Sequence, residues 1–119
     1  MKQPNGLKND AQYLEEAIFV DSFFAHSPYL ETSNFVDFYF KKYNRIPENI
    51  EALAYDTAQI ITGVLNNTEV KTRAQFVSAL NKVENYKGVT GKTYFDSNRV
   101  AQKTAFVLRI RDGKLEQVK

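Results

Sequence analysis

Asp21-Ser22-Phe23-Phe24 follows directly on an apolar run, Ala17-Ile18-Phe19-Val20. In open α/β sheets ligands bind beyond the carboxyl ends of strands, so this segment is the best positional candidate for a site. A carboxylate at Asp21 could receive an ammonium group, and Phe23 could supply an apolar wall, although both Phe23 and Phe24 could equally serve as core. Tyr55-Asp56 lies inside a strong helical pattern, where an acid can face a cleft but more commonly caps or pairs with a neighbouring element. Gly88-Val89-Thr90-Gly91-Lys92-Thr93 ends like a phosphate-binding loop. The spacing fails, because the position that needs glycine is Tyr86, and β-forming Tyr94-Phe95 follows where a helix is required. The segment reads instead as a glycine-bounded turn between helix and strand. His26 stands alone as the one histidine, and no carboxylate pair has a setting for glycosidase or protease chemistry.

Composition narrows the choice further. Cysteine is absent, which removes disulfides and thiolate metal sites, and the lone histidine removes multi-histidine sites. No metal and no cofactor is therefore expected. Basic and acidic residues number 16 and 14, a net charge of +2, too weak to argue for nucleic acid. Phe40-Lys41-Lys42-Tyr43 interleaves aromatics with lysines, as single-strand binders do, but an aromatic core face with a lysine rim looks the same. Asn66-Asn67-Thr68 matches a glycosylation triplet of the kind that arises by chance. At 119 residues, 43% hydrophobic and 25% charged, the chain has the size and make-up of one folded domain. It contains no apolar run near the roughly 18 to 20 residues that cross a bilayer. It also shows no secretory leader pattern. Two readings remain: a cytoplasmic protein, or a piece of something longer.

The elements that would position these residues follow from periodicity. Residues 1–13 read as a flexible lead-in, with a helical turn possible over 10–16. Ala17–Val20 fits a strand covered on both faces, as in a parallel sheet. Ser27-Pro28 marks a loop, after which Thr32 or Ser33 caps a helix running to about Asn44 with Phe35, Phe38 and Tyr39 inward. Pro47 separates it from a helix over about Glu48–Asn66, whose predicted buried face is Ile50, Leu53, Ala54, Thr57, Ile60, Ile61, Val64 and Leu65. Thr72 and Gln75 form a capping box for a third helix, with Phe76, Val77, Leu80 and Val83 inward and Gly88 just past its end. Then the period becomes two: strands at Lys92–Phe95 and Thr104–Arg111, an Asp112-Gly113 hairpin turn, and a return strand at Lys114–Val118. The order is β-α-α-α-β-β-β, an α/β protein whose first strand lacks a parallel neighbour.

That order, together with Tyr43-Asn44-Arg45-Ile46-Pro47, Ala52-Leu53-Ala54-Tyr55-Asp56 and Gly88-Val89-Thr90-Gly91 with Phe95-Asp96, resembles the C-terminal third of type 1 periplasmic binding proteins. This is the branched-chain amino-acid and extracellular ligand-binding receptor group of ABC transporters. The resemblance implies an α/β chain that is the C-terminal fragment of a two-lobed fold, with residues 14–119 contributing to both lobes. Ala17–Asp21 and Thr104–Ile110 would lie in one lobe, and the helices with Lys92–Phe95 in the other. It implies a non-enzymatic solute-binding function, closing on a small polar ligand such as an amino acid. The implied partner is a membrane permease. The implied location is periplasmic or extracellular, membrane-associated as part of a longer precursor. The ligand-binding residues it suggests are Asp21 and Phe23 after the first strand, and Ile50 and Glu51 at the start of the second helix. An envelope regulatory or scaffold lipoprotein, or a receptor sensory domain on the same fold, is the alternative. A small independent α/β interaction domain is a third reading. A strand without neighbours further suggests a segment-exchanged homodimer.

Overall fold

The computed structural model describes residues 13–118; the lead-in at 1–12 lies outside the described residues. Strand β1 (Ile18–Asp21) is followed by three helices, α1 (Leu30–Tyr43), α2 (Asn49–Leu65) and α3 (Arg73–Asn81). Five strands complete the chain: β2 (Tyr86–Gly88), β3 (Gly91–Phe95), β4 (Ala101–Lys103), β5 (Phe106–Arg111) and β6 (Lys114–Gln117). The fold is mixed α/β with the expected order, enlarged by two three-residue strands, β2 and β4, too short to leave a periodic signal.

Two antiparallel sheets form, ordered β1-β5-β6 and β2-β3-β4. β1 is therefore not the parallel, doubly covered strand its apolar run suggested. It pairs antiparallel with β5, Phe19 opposite Leu108 and Asp21 opposite Phe106, and Ile18 and Val20 stand 65% and 64% exposed. An unbroken apolar run reports that a strand was selected for burial, not which chain segment buries it.

Local chemistry explains the boundaries. Asn44 ends α1 in the left-handed region (φ 53°), its N–H donating to Phe40 O at 2.8 Å. Thr72 and Gln75 do form the capping box of α3: Thr72 Oγ1 accepts from Gln75 N (3.2 Å) and Gln75 Oε1 accepts from Thr72 N (3.0 Å). Asp112 and Gly113, at φ 51° and 68°, make the tight turn that sets β6 against β5. Asp96 Oδ1 accepts from Asn98 N and Val100 N, fixing the turn from β3 to β4.

Four further expectations are corrected. Phe38, expected inward on α1, is 58% exposed. α1 begins two residues before Thr32, which is 1% exposed and donates its hydroxyl to Val89 O (3.3 Å) rather than capping. Gly88 lies in β2 and pairs with Gly91, so the glycine-bounded turn joins two strands, not a helix and a strand. The buried line of α2 is Ala52, Asp56, Ile60 and Val64, while Ile50, Ile61 and Leu65 of the predicted face are exposed. The rotation has a cause on α2 itself. Asp56 is 1% exposed and accepts from Val89 N (2.9 Å), Thr90 N (2.9 Å) and the Thr90 hydroxyl, which pins that side of the helix to the β2–β3 turn.

There are two cores. Phe23, Phe35, Ala52 and Val89 pack with Tyr39 and Tyr55 among the helices, and Phe24, Phe106 and Leu108 pack with Leu115 on the β1-β5-β6 sheet. Adjacent residues Phe23 and Phe24 thus serve different cores. The chain passes between the two halves there, and again at Thr104-Ala105 before β5.

Candidate functional site at the junction of the two halves

The junction is built where β1 ends and α2 begins. Asp21 is half-buried, and its Oδ1 accepts from Ser22 N (2.6 Å) and from the Asn49 side-chain amide. Ser22 Oγ donates in turn to Asn49 Oδ1 (3.0 Å). The second carboxylate oxygen of Asp21 has no partner among the described residues, so one face of a negative charge is held in place and left available. Ile50, which follows Asn49 on α2, is 80% exposed.

Phe23 and Glu51 stand in different surroundings. Phe23 is 6% exposed and meets Phe35 edge-on at 6.1 Å, with Ala52 and Val89 in the same core. Glu51 has both oxygens occupied. Oε1 accepts from Arg45 Nη2 at 2.6 Å and from Tyr39 Oη at 3.4 Å, and Oε2 accepts from Glu48 N at 3.0 Å. The Arg45 guanidinium holds the Glu51 carboxyl below the usual carboxylate range. Burial, and then the Glu51 charge, push the Tyr39 hydroxyl up. The structure therefore brings the two predicted segments together. Asp21 is bonded at the junction and Ile50 is exposed on α2, while Phe23 and Glu51 are engaged in packing and in the helix start.

Sequence reasoning passed over Asn49, and gave Ser22 no role of its own within the Asp21–Phe24 segment. Asn49 sits just after Pro47-Glu48, where a polar residue at a helix start has an ordinary local explanation. Its bond to a residue 28 positions earlier leaves no local signal. A cleft of about 570 Å³ elsewhere belongs to the helical half, walled by Phe35, Phe38, Tyr55, Gln59 and Tyr86. None of the four predicted residues lines it. His26 is exposed and packs edge-on against Phe24 at 5.9 Å. Among the described residues no group of three acidic, histidine or cysteine side chains could hold a metal ion.

The family model described as periplasmic binding protein matches residues 4–114. The chain belongs to the periplasmic binding protein family. This is a family of binding proteins rather than enzymes, and membership implies a periplasmic location. A comparison with curated proteins finds no match. Among solved structures, the chain is similar to a branched-chain amino acid ABC transporter protein from Rhodospirillum rubrum. The TM-score is 0.88 at 26% identity, over 99% of this chain and 35% of that one. It is also similar to the branched-chain amino acid transporter substrate-binding protein LivJ of Streptococcus pneumoniae, solved with isoleucine. There the TM-score is 0.70 at 30% identity, over 86% of this chain and 30% of that one. A solute-binding protein from R. palustris, solved with benzoate, shares the fold at 14% identity and a TM-score of 0.72, over 95% of this chain and 32% of that one. This periplasmic binding protein thus spans about a third of the length of these relatives and is homologous to ABC transporter substrate-binding proteins. No helix among its described residues is long and apolar enough to cross a membrane.

Proposed function

We propose that this chain is part of an extracytoplasmic solute-binding protein that serves an ABC permease. The bound molecule is a small polar ligand of the amino-acid class. The β1-β5-β6 half and the helical half would then belong to two lobes that close on it. The observation that carries the reading is Asp21. Its carboxylate sits where the chain passes from one core to the other, with one oxygen anchored and the other uncommitted. An ammonium group is the natural partner of such an oxygen. Ile50, the residue after Asn49, offers exposed apolar surface to an aliphatic side chain, while Phe23 packs in the helical core and Glu51 holds the start of α2. The relatives solved with isoleucine and with benzoate support a small carboxylate-bearing ligand.

Calorimetry tests this on the chain alone and on the chain completed with the remaining segment of a full-length relative. The panel is the α-amino acids, alongside aromatic acids that lack an ammonium group. The expected result is saturable binding of at least one amino acid by the completed protein. Asp21→Asn should weaken it tenfold or more, the scale of one charge-assisted bond. Absence of binding across the panel, or binding indifferent to Asp21→Asn, overturns the assignment of Asp21.

A further inference from the structure

Two passes of the chain join the halves, at residues 22–29 and at Thr104-Ala105, and neither is regular secondary structure over its full length. Covalent joints of this kind set how far the halves can separate, not how they are oriented. Orientation needs a contact with direction.

One contact has it. Two side-chain hydrogen bonds link the end of β1 to the first turn of α2, and both are made by Asn49. The amide uses both of its ends: Nδ2 donates to Asp21 Oδ1, and Oδ1 accepts from Ser22 Oγ at 3.0 Å. A primary amide presents its donor and acceptor in one plane, so satisfying both fixes the rotation of the side chain as well as its distance. Asn49 is the first residue of α2, and α2 is pinned through Asp56 to the β2–β3 turn. β1 is hydrogen-bonded along its length to β5. Each end of the contact is thus anchored in a different rigid unit. The same bond occupies Asp21 Oδ1, while Oδ2 has no partner among the described residues.

We infer that Asn49 is a positioning residue, a clasp that fixes the angle between the two halves and holds the Asp21 carboxylate at the junction. The inference rests on the two-lobed reading above for its functional sense, but its test uses no ligand, so the two can fail separately. Isotope-labelled chain is weakly aligned and residual dipolar couplings are measured for the amides of β1, β5 and β6 and for those of α1 and α2. In the parent chain one alignment tensor fits both halves. In Asn49→Ala the halves require two different tensors, while amide hydrogen-exchange protection within α2 and within β5 stays as before. Ser22→Ala removes one of the two bonds without touching a helix residue, and splits the tensors in the same direction by a smaller amount. A single shared tensor in both variants overturns the clasp. So does a parent chain that already needs two tensors, or loss of protection throughout α2 in Asn49→Ala, which would make the residue a helix-start contact only.

Discussion

Asp56 illustrates how one side chain can decide a region. It is a carboxylate at 1% exposure, which would be costly without partners, and it has three donors from the β2–β3 turn. Lys103 Nζ extends the network by donating to the Thr90 and Thr93 hydroxyls at 2.7 Å each; burial pushes its ammonium pKa down and the Asp56 charge acts the other way. Asp56→Ala leaves the Val89 and Thr90 amides buried without an acceptor. The expected loss is roughly 3 kcal/mol, read as a lower urea midpoint; a change under about 0.5 kcal/mol would show that the turn holds itself. Gly88 is part of the same arrangement. A Cβ there would fall inside contact distance of the Asp56 carboxylate, which is too short and too firmly bonded to move away. Gly88→Ala should therefore cost about 1 to 3 kcal/mol. Combined with Asp56→Ala, the two losses should be clearly less than additive in a double-mutant cycle.

At the scale of elements, the start of α2 depends on Glu51, which joins the helix to Arg45 and to the backbone of Glu48. Its folded pKa is depressed, chiefly by the Arg45 hydrogen bond. Below the ordinary carboxylate value of about 4.3 the unfolded chain takes up protons that the native Glu51 still refuses. Stability from this group is present above that value and is lost as pH falls through the folded pKa. Asp96, also depressed, chiefly by a backbone hydrogen bond from Val100, acts in the same direction at the β3–β4 turn. Urea midpoints measured from about pH 7 down to about pH 3 should fall in this window, and Glu51→Gln should flatten part of the fall. An unchanged profile in Glu51→Gln would mean that solvent screens the Arg45 pair completely.

For the whole molecule, the consequence lies in surfaces left open. Ile18, Phe19 and Val20 are exposed on a strand with one free edge, and Ile50, Ile61 and Leu65 form an open line on α2. The chain spans about a third of the length of these relatives, and among the described residues nothing covers these faces. An apolar edge without lysine or proline is prone to pairing with another strand. The chain should self-associate with rising concentration in sedimentation velocity, and Ile18→Lys with Val20→Lys should suppress this without loss of helix content. A parent chain that stays monomeric over the whole range would rule out edge pairing.

Most of the elements, and the family, are legible along the chain without coordinates. Periodicity, the Thr72 and Gln75 capping box and the Asp112-Gly113 hairpin are local, and each acts within a few residues of where it is read. The ordered motifs from Tyr43 to Asp96 carried the family resemblance for the same reason, since order along a chain is visible without coordinates. Only the tertiary structure decided which face of α2 is inside, which strand lies beside β1, and that Asn49 meets Asp21 across 28 residues. Those outcomes depend on partners far away in the chain. A stripe of apolar residues states how much surface must be covered, but the choice between two possible faces of one helix is made by a contact such as Asp56 with the Val89-Thr90 turn, which no local pattern contains.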